Sequence, residues 1–193
     1  MKDKFIEEYI INPCTMFIEP ETYGSKIYSR IYELEDELLV PFKPLEIVKS
    51  SCKFYGANYK GRIEGSHHLI GKMHKAPISI DPTLFFFPTT SPSRQDCIWV
   101  NTQLVANHHR YHSSITKVTF LNKKTYDILV SARTFKNQLL RSSLLKMRLM
   151  ERTNENERMS YLYLYNPKYM AASESMDEYG KFTKRRNDRL SFK

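Results

Sequence analysis

A chain of 193 residues with 41% hydrophobic and 26% charged side chains can bury a core, which excludes compositional disorder, and its length suits one domain or one domain plus an appendage. The formal net charge of +9 is unevenly placed: residues 1–40 hold 4 basic and 9 acidic side chains, a net −5, and the remainder holds 26 and 12, a net +14. Nucleic acid, a ribosomal surface and a membrane surface all suit a basic body of this sign.

Three cysteines, Cys14, Cys52 and Cys97, make a poor disulfide framework and fit a reducing compartment. The start, "MKDKFIEEYIINP", is acidic where a secretion signal has its apolar core. No apolar run approaches the ~18 residues that a membrane span requires. These features predict a soluble cytoplasmic protein with no membrane partner.

In chain order, residues 1–40 alternate short apolar stretches ("YII", "TMFI", "KIYSRIY") with acids and read as strands and turns. This acidic segment is expected to pack on the domain that follows. Pro41 and Pro44 disfavour helix at the residues before them. Pro44 then suits the first position of a helix, and Leu45, Ile47, Val48, Ser51, Cys52 and Tyr55 follow with partial 3–4 spacing until Gly56. "ANYKGRIEGSHHLIG" reads as a second helix, weakened by glycines that each cost up to about 1 kcal/mol against alanine.

Four prolines between Pro77 and Pro92 flank two short predicted strands, around Ile78–Ile80 and Leu84–Phe87. "CIWVNTQLV" is another strand candidate, and "HHRYH" reads as a polar loop. "KVTFLNKKTYDILV" predicts a hairpin about Asn122-Lys123, with Asn122 suited to the left-handed turn position. The strongest helix is expected at 134–150, capped by Thr134, with Phe135, Leu139, Leu140, Leu144 and Met147 as its apolar side. Beyond it "ERTNENERMS" reads as a polar linker, "YLYLYNPKYM" as a sticky segment, and the rest as a charged tail. The fold class is α+β, a β-rich single domain with helices near 44–55 and 134–151. Its parts are an acidic 1–40, a core at 41–151 and an appendage at 152–193.

This frame admits several chemistries. "GANYKGRI" has the G-x4-G spacing of a phosphate loop, but Arg62 and Ile63 stand where Lys and Ser/Thr are required. Cys52 and Cys97 sit among apolar neighbours and read as small buried hydrophobes rather than nucleophiles. His67, His68, His108, His109 and His112 complete no tetrahedral metal pattern. From 41 to 150 the only acids are Glu46, Glu64, Asp81, Asp96 and Asp127, too few for paired-carboxylate catalysis. No catalytic residue, metal or cofactor is expected. The stretch 41–80 has 7 basic and 2 acidic residues, and Lys53, Lys60, Arg62, Lys72 and Lys75 lie among Phe54, Tyr55 and Tyr59. Cations release counterions from phosphate, and aromatics stack or wedge, so nucleic-acid binding competes here with a merely solvated lysine surface.

The ordered blocks "KPLEIVKSSCKFYGANYKGRIEG", "HKAPISIDP", "FFFPTTSPSRQDCIW", "KVTF" and "SARTFKNQLLR" resemble the ComK family of competence transcription factors, from about Lys43 to Leu149. The resemblance implies an activator of genes for DNA uptake and transformation. It would bind paired A/T-rich boxes of double-stranded DNA, largely through the minor groove, as a dimer or tetramer assembled on the promoter beside RNA polymerase. It implies a DNA-facing set of Lys53, Tyr59, Lys60, Arg62, Lys75, Arg94 and Arg141, and a protein that is nucleoid-associated when bound. It also implies delivery by an adaptor to a Clp-type protease, with Tyr161, Leu162, Tyr163, Leu164, Tyr165 and Pro167 as the adaptor segment. Here Asn166 separates Tyr165 from Pro167, unlike the Tyr-Pro ending of the family pattern. The alternative is a regulatory paralogue that keeps the fold and has lost specific DNA binding.

Overall fold

A computed structural model describes residues 4–165. The chain divides into two compact units, Met1–Leu149 and Met150–Lys193. The first is α+β. Its strands are β1 (Lys4–Phe5), β2 (Thr15–Tyr23), β3 (Lys26–Glu33), β4 (Glu37–Val40), β5 (Ile78–Ser79), β6 (Phe85–Pro88), β7 (Trp99–Asn101), β8 (Val105–Arg110), β9 (Thr116–Phe120) and β10 (Thr125–Ile128). Its helices are α1 (Pro44–Phe54), α2 (Tyr59–Ile70) and the start of α3 (Ala132–Tyr165). The described part of the second unit is the remainder of α3.

A seven-stranded sheet runs in the order β1-β4-β3-β2-β7-β6-β5, with only β1 and β4 parallel. β2 is its middle strand. Residues 1–40 thus supply β1 to β4, and β2 pairs with β3 on one edge and with β7 on the other. The β2–β3 hairpin closes over Gly24 and Ser25, with Gly24 at φ +61° in the first loop position, where a two-residue turn favours glycine.

Consecutive side chains in the middle strands enter different cores. Ile18, Phe86 and Trp99 join Ile47, Val48 and Cys52 of α1, with Tyr59 and Ile63 of α2 packed alongside. Phe17, Phe87 and Val100 join Val118, Phe120 and Ile128 of a second, three-stranded sheet (β10-β9-β8) and Phe135 of α3. Helices α1 and α2 thus cover one face of the large sheet; the small sheet and α3 cover the other.

Local chemistry sets the element ends. Pro44 opens α1, and the Glu46 side chain accepts from Lys43 N at 2.9 Å. Gly56 closes it at φ +71°, with Gly56 N donating to Lys53 O and Ala57 N to Cys52 O, the paired bonds of a Schellman motif. Asn58 caps α2 by accepting from Lys60 N at 2.8 Å.

Five local expectations are corrected. "HHRYH" is not a loop throughout: residues 105–110 form β8, because His108 faces inward against Phe135 at 5.3 Å while His109 faces out. In the β9–β10 turn Lys123, not Asn122, holds the positive φ (+67°). Asn122 instead bonds Lys124 N and Leu34 O through its amide. Ser131, not Thr134, caps α3, its Oγ accepting from Thr134 N at 3.3 Å. The buried stripe of α3 is Phe135, Gln138, Ser142 and Leu145, whereas Leu140, Leu144 and Met147 are exposed. Two polar contacts pull this stripe inward. Gln138 Nε2 donates to Lys75 O (2.8 Å) and Pro88 O (2.9 Å), and the Ser142 and Thr102 hydroxyls meet at 2.5 Å. The run 151–160, read as a linker, is helical: no glycine or proline interrupts the chain from Ala132 to Tyr165.

Candidate nucleic-acid interface

The face built by α1 and α2 carries the cations. Lys49 and Lys53 stand four residues apart on α1, so they share one side of the helix, and both are exposed. Ser51 and Cys52 point inward and orient that side. The turn of α2 that follows brings Asn58, Tyr59 and Lys60 opposite them. Together with Ile63 these residues line a groove of about 440 Å³.

Tyr59 is its wall. The ring meets Trp99 edge-on at 6.4 Å and faces Lys49 Nζ at 6.0 Å. Burial pushes the Tyr59 phenol up to about 12, so it stays a neutral hydrogen-bonding group. Lys60 lies 4.0 Å from Glu64, an exposed i,i+4 pair worth a few tenths of a kcal/mol. Among the described residues Lys49 and Lys53 have no acidic partner within salt-bridge distance.

Two further grooves adjoin this one. One, of about 270 Å³, shares Lys49 and adds Lys43 and Arg94. The other, of about 510 Å³, shares Tyr59 and Ile63 and adds His67, Lys72 and His74. The three grooves form one connected surface bearing Lys43, Lys49, Lys53, Lys60, Lys72 and Arg94.

The expected DNA-facing residues divide on this surface. Lys53, Tyr59 and Lys60 come together in the first groove. Arg62 is half-buried on α2; its Nε is shielded from solvent and has no hydrogen-bond partner. The guanidinium is close enough to Cys52 to lower its pKa, yet burial outweighs that and pushes the thiol up to about 11. Burial raises Cys97 as well, so both cysteines are inert thiols near neutrality. Lys75 is half-buried and reaches Thr89 O at 3.4 Å. Arg94 is exposed but engages both oxygens of Asp96, at 2.8 and 2.7 Å, which holds that carboxyl below its usual range. Arg141 lies apart on α3, donating to Gln138 Oε1 at 3.1 Å.

Lys49 and Lys43 are the cations the sequence reading missed. The four-residue step from Lys49 to Lys53 was the signal available for the first. The expected adaptor residues Tyr161, Leu162, Tyr163 and Leu164 are exposed on α3. The Tyr165 side chain and Pro167 lie outside the described residues. Among the described residues no group of His, Cys, Asp and Glu is placed to hold a metal ion, and no helix is long and apolar enough to cross a membrane.

The comparisons with known proteins agree with one another. The competence transcription factor of Bacillus subtilis (strain 168) is 34% identical over 168 residues, spanning 86% of this chain and 88% of the relative. No solved structure matches the chain. The family described as "ComK protein" matches residues 6–154, which takes in β2 to β10, α1, α2 and most of α3. The chain belongs to the ComK family.

Proposed function

We propose that this protein is a transcriptional activator of genes for DNA uptake and transformation, acting without catalysis by binding A/T-rich promoter boxes. The observation that carries the reading is the connected cationic surface of α1 and α2, where Lys49 and Lys53 stand exposed with no acidic partner among the described residues. The similarity to a competence transcription factor supports it. Lysines on such a surface bind by releasing condensed counterions from phosphate, which gives affinity without sequence information. Narrow A-tracts carry enhanced negative potential and favour the same charges. Arg62 is placed to matter electrostatically from beneath, and Tyr59 to keep the groove walls apart.

On this reading the protein assembles on DNA as a dimer or tetramer and contacts RNA polymerase there. The exposed residues Tyr161–Leu164 offer an adaptor of a Clp-type protease an aromatic and aliphatic surface on α3.

The test is a fluorescence titration of the full chain against a two-box A/T-rich duplex. Charge reversal at Lys49 and Lys53 together lowers affinity at least about tenfold and reduces the salt slope by about 2. Circular dichroism should remain native, since both side chains are exposed. Unchanged affinity in a folded variant would remove the reading. Equal binding to A/T-box and scrambled duplexes would favour a regulatory paralogue that has lost specific recognition.

A further inference from the structure

The cover over the large sheet stops before the β2–β3 hairpin ends. Along one side of β2, Phe17 is buried, Glu19 and Glu21 are half-buried, and Tyr23 is 59% exposed. Phe17 belongs to the second core, and alternation puts the other three on the same side of the sheet. Register sets Arg30 and Tyr28 of β3 beside Glu19 and Glu21, Leu39 of β4 beside Arg30, and Phe5 of β1 beside Leu39. The small sheet reaches as far as Tyr32, which Tyr126 meets edge-on at 5.0 Å. Past that contact Tyr23 and Phe5 stand exposed.

Aromatic surface and negative charge are concentrated there. Tyr23 stacks on Tyr28 at 4.9 Å, and Phe5 adjoins Tyr28 at 6.4 Å. Glu19, Glu21 and Glu37 share this side with Arg30, and Arg30 is engaged by both oxygens of Glu21, at 2.5 and 2.8 Å. Glu19 accepts from the Tyr32 hydroxyl at 2.7 Å through one oxygen; its other oxygen has no hydrogen-bond partner among the described residues. Burial, opposed by that hydrogen bond, raises the Glu19 pKa, a cost that an arriving cation relieves.

The hairpin also has an open edge. β2 pairs with β7 only at Phe17 and Ile18. Beyond them lies a groove of about 320 Å³ whose lining includes Glu19, Asp96, Ile98 and Leu129. Leu129 is exposed, and Asp96 is already taken by Arg94, so Glu19 is the open carboxylate of the groove.

This chemistry selects among partners. A net-negative surface repels phosphate, so duplex and anionic membrane suit the lysine face rather than this one. A tyrosine ring attracts a cation over its face, and a carboxylate beside an aliphatic side chain suits a basic residue with an apolar neighbour. Glu19 and Tyr23 are four strand residues apart, about 13 Å, so they engage separate side chains.

We infer that the open end of the β2–β3 hairpin docks a basic segment of a partner protein, with cationic side chains over Tyr23 and beside Glu19 and an apolar one against Leu129. The inference deepens the activator reading above, in which that partner is RNA polymerase, and it rests on that reading. The surface lies across the seven-stranded sheet from the lysines, so polymerase contact and duplex binding separate.

The experiment uses the full chain, purified bacterial RNA polymerase holoenzyme and the two-box A/T-rich duplex. A biosensor measures capture of polymerase by the immobilised chain, and the fluorescence titration measures the duplex. The unaltered chain captures polymerase, less so as salt rises. Y23S, E19Q and L129S each weaken capture about three- to tenfold, and the triple variant weakens it at least about thirtyfold, while duplex affinity stays within about twofold. E19Q keeps an oxygen to accept from Tyr32, and Tyr23 and Leu129 are exposed, so circular dichroism remains native. Should the triple variant unfold, Y23S and L129S decide. Unchanged capture by folded variants, or no capture by an unaltered chain that binds the duplex, overturns the inference alone. Duplex binding that tightens more than about threefold in E19Q would assign the face to DNA, and a variant that changes the sedimenting mass would assign it to a second copy; either overturns the inference. An unaltered chain that binds no duplex overturns the DNA-binding reading and this inference with it.

Discussion

The thiol of Cys52 lies on the inward side of α1 without solvent exposure, and its pKa of about 11 leaves about one molecule in a thousand as thiolate at pH 8. Cys97 is buried too, and Cys14 is exposed. A thiol reagent added to the folded protein at pH 8 therefore titrates one group per chain quickly, and all three only after unfolding. Two fast thiols in the native state would contradict the burial of Cys52 or Cys97. At this scale the sequence was informative where polarity and neighbours agreed. Cys52 followed apolar residues at helical spacing and was read as a small hydrophobe. Arg94 was placed in the DNA-facing set, and Asp96 two residues on pairs with it. Composition counts charges but does not pair them.

Helix α3 shows what a residue wheel leaves out. The wheel put Phe135, Leu139, Leu140, Leu144 and Met147 on the packed side; Phe135 and Leu139 do pack, but the helix turns Gln138 and Ser142 inward to meet the carbonyls of Lys75 and Pro88 and the hydroxyl of Thr102, leaving the other three exposed. Those acceptors come from distant parts of the chain, so no local pattern announces them. Gln138→Ala leaves two carbonyls unpaired and opens a cavity; it should destabilise by about 2–4 kcal/mol in urea unfolding. Leu140→Ala, at 57% exposure, should cost under about 0.5 kcal/mol. Equal costs would mean that the helix is rotated. At the end of α1, Gly56→Ala must hold φ near +71° with a Cβ and should lose about 1 kcal/mol, although nothing within 4 Å obstructs the added carbon. Gly56 was legible from its position; the left-handed turn at Lys123 was not, because asparagine was spent on side-chain bonds to Leu34 and Lys124.

For the whole molecule, the α+β class and the order of nearly all elements were readable from periodicity, prolines and glycines. The arrangement of the sheet was not. The first 40 residues differ in charge from the rest of the chain, and their β2 lies at the middle of the large sheet and sends Phe17 and Ile18 into its two cores. Net charge reports on exposed side chains and says nothing of where an apolar strand inserts. A chain beginning at residue 41 should accordingly lose near-ultraviolet circular dichroism and cooperative melting. A sharp thermal transition in that fragment would show that the core closes without β2.

The alternation in β2 couples sequence neighbours to remote exteriors. Ile18→Ala loosens the floor under α1 and α2, while Phe17→Ala removes a ring stacked against Tyr32 and Phe120 beneath the small sheet. Amide exchange should quicken in the helical layer for the first substitution and in β9 and β10 for the second. Moving one position along the backbone thus switches which outer layer of the protein softens, so adjacent codons govern the firmness of opposite faces.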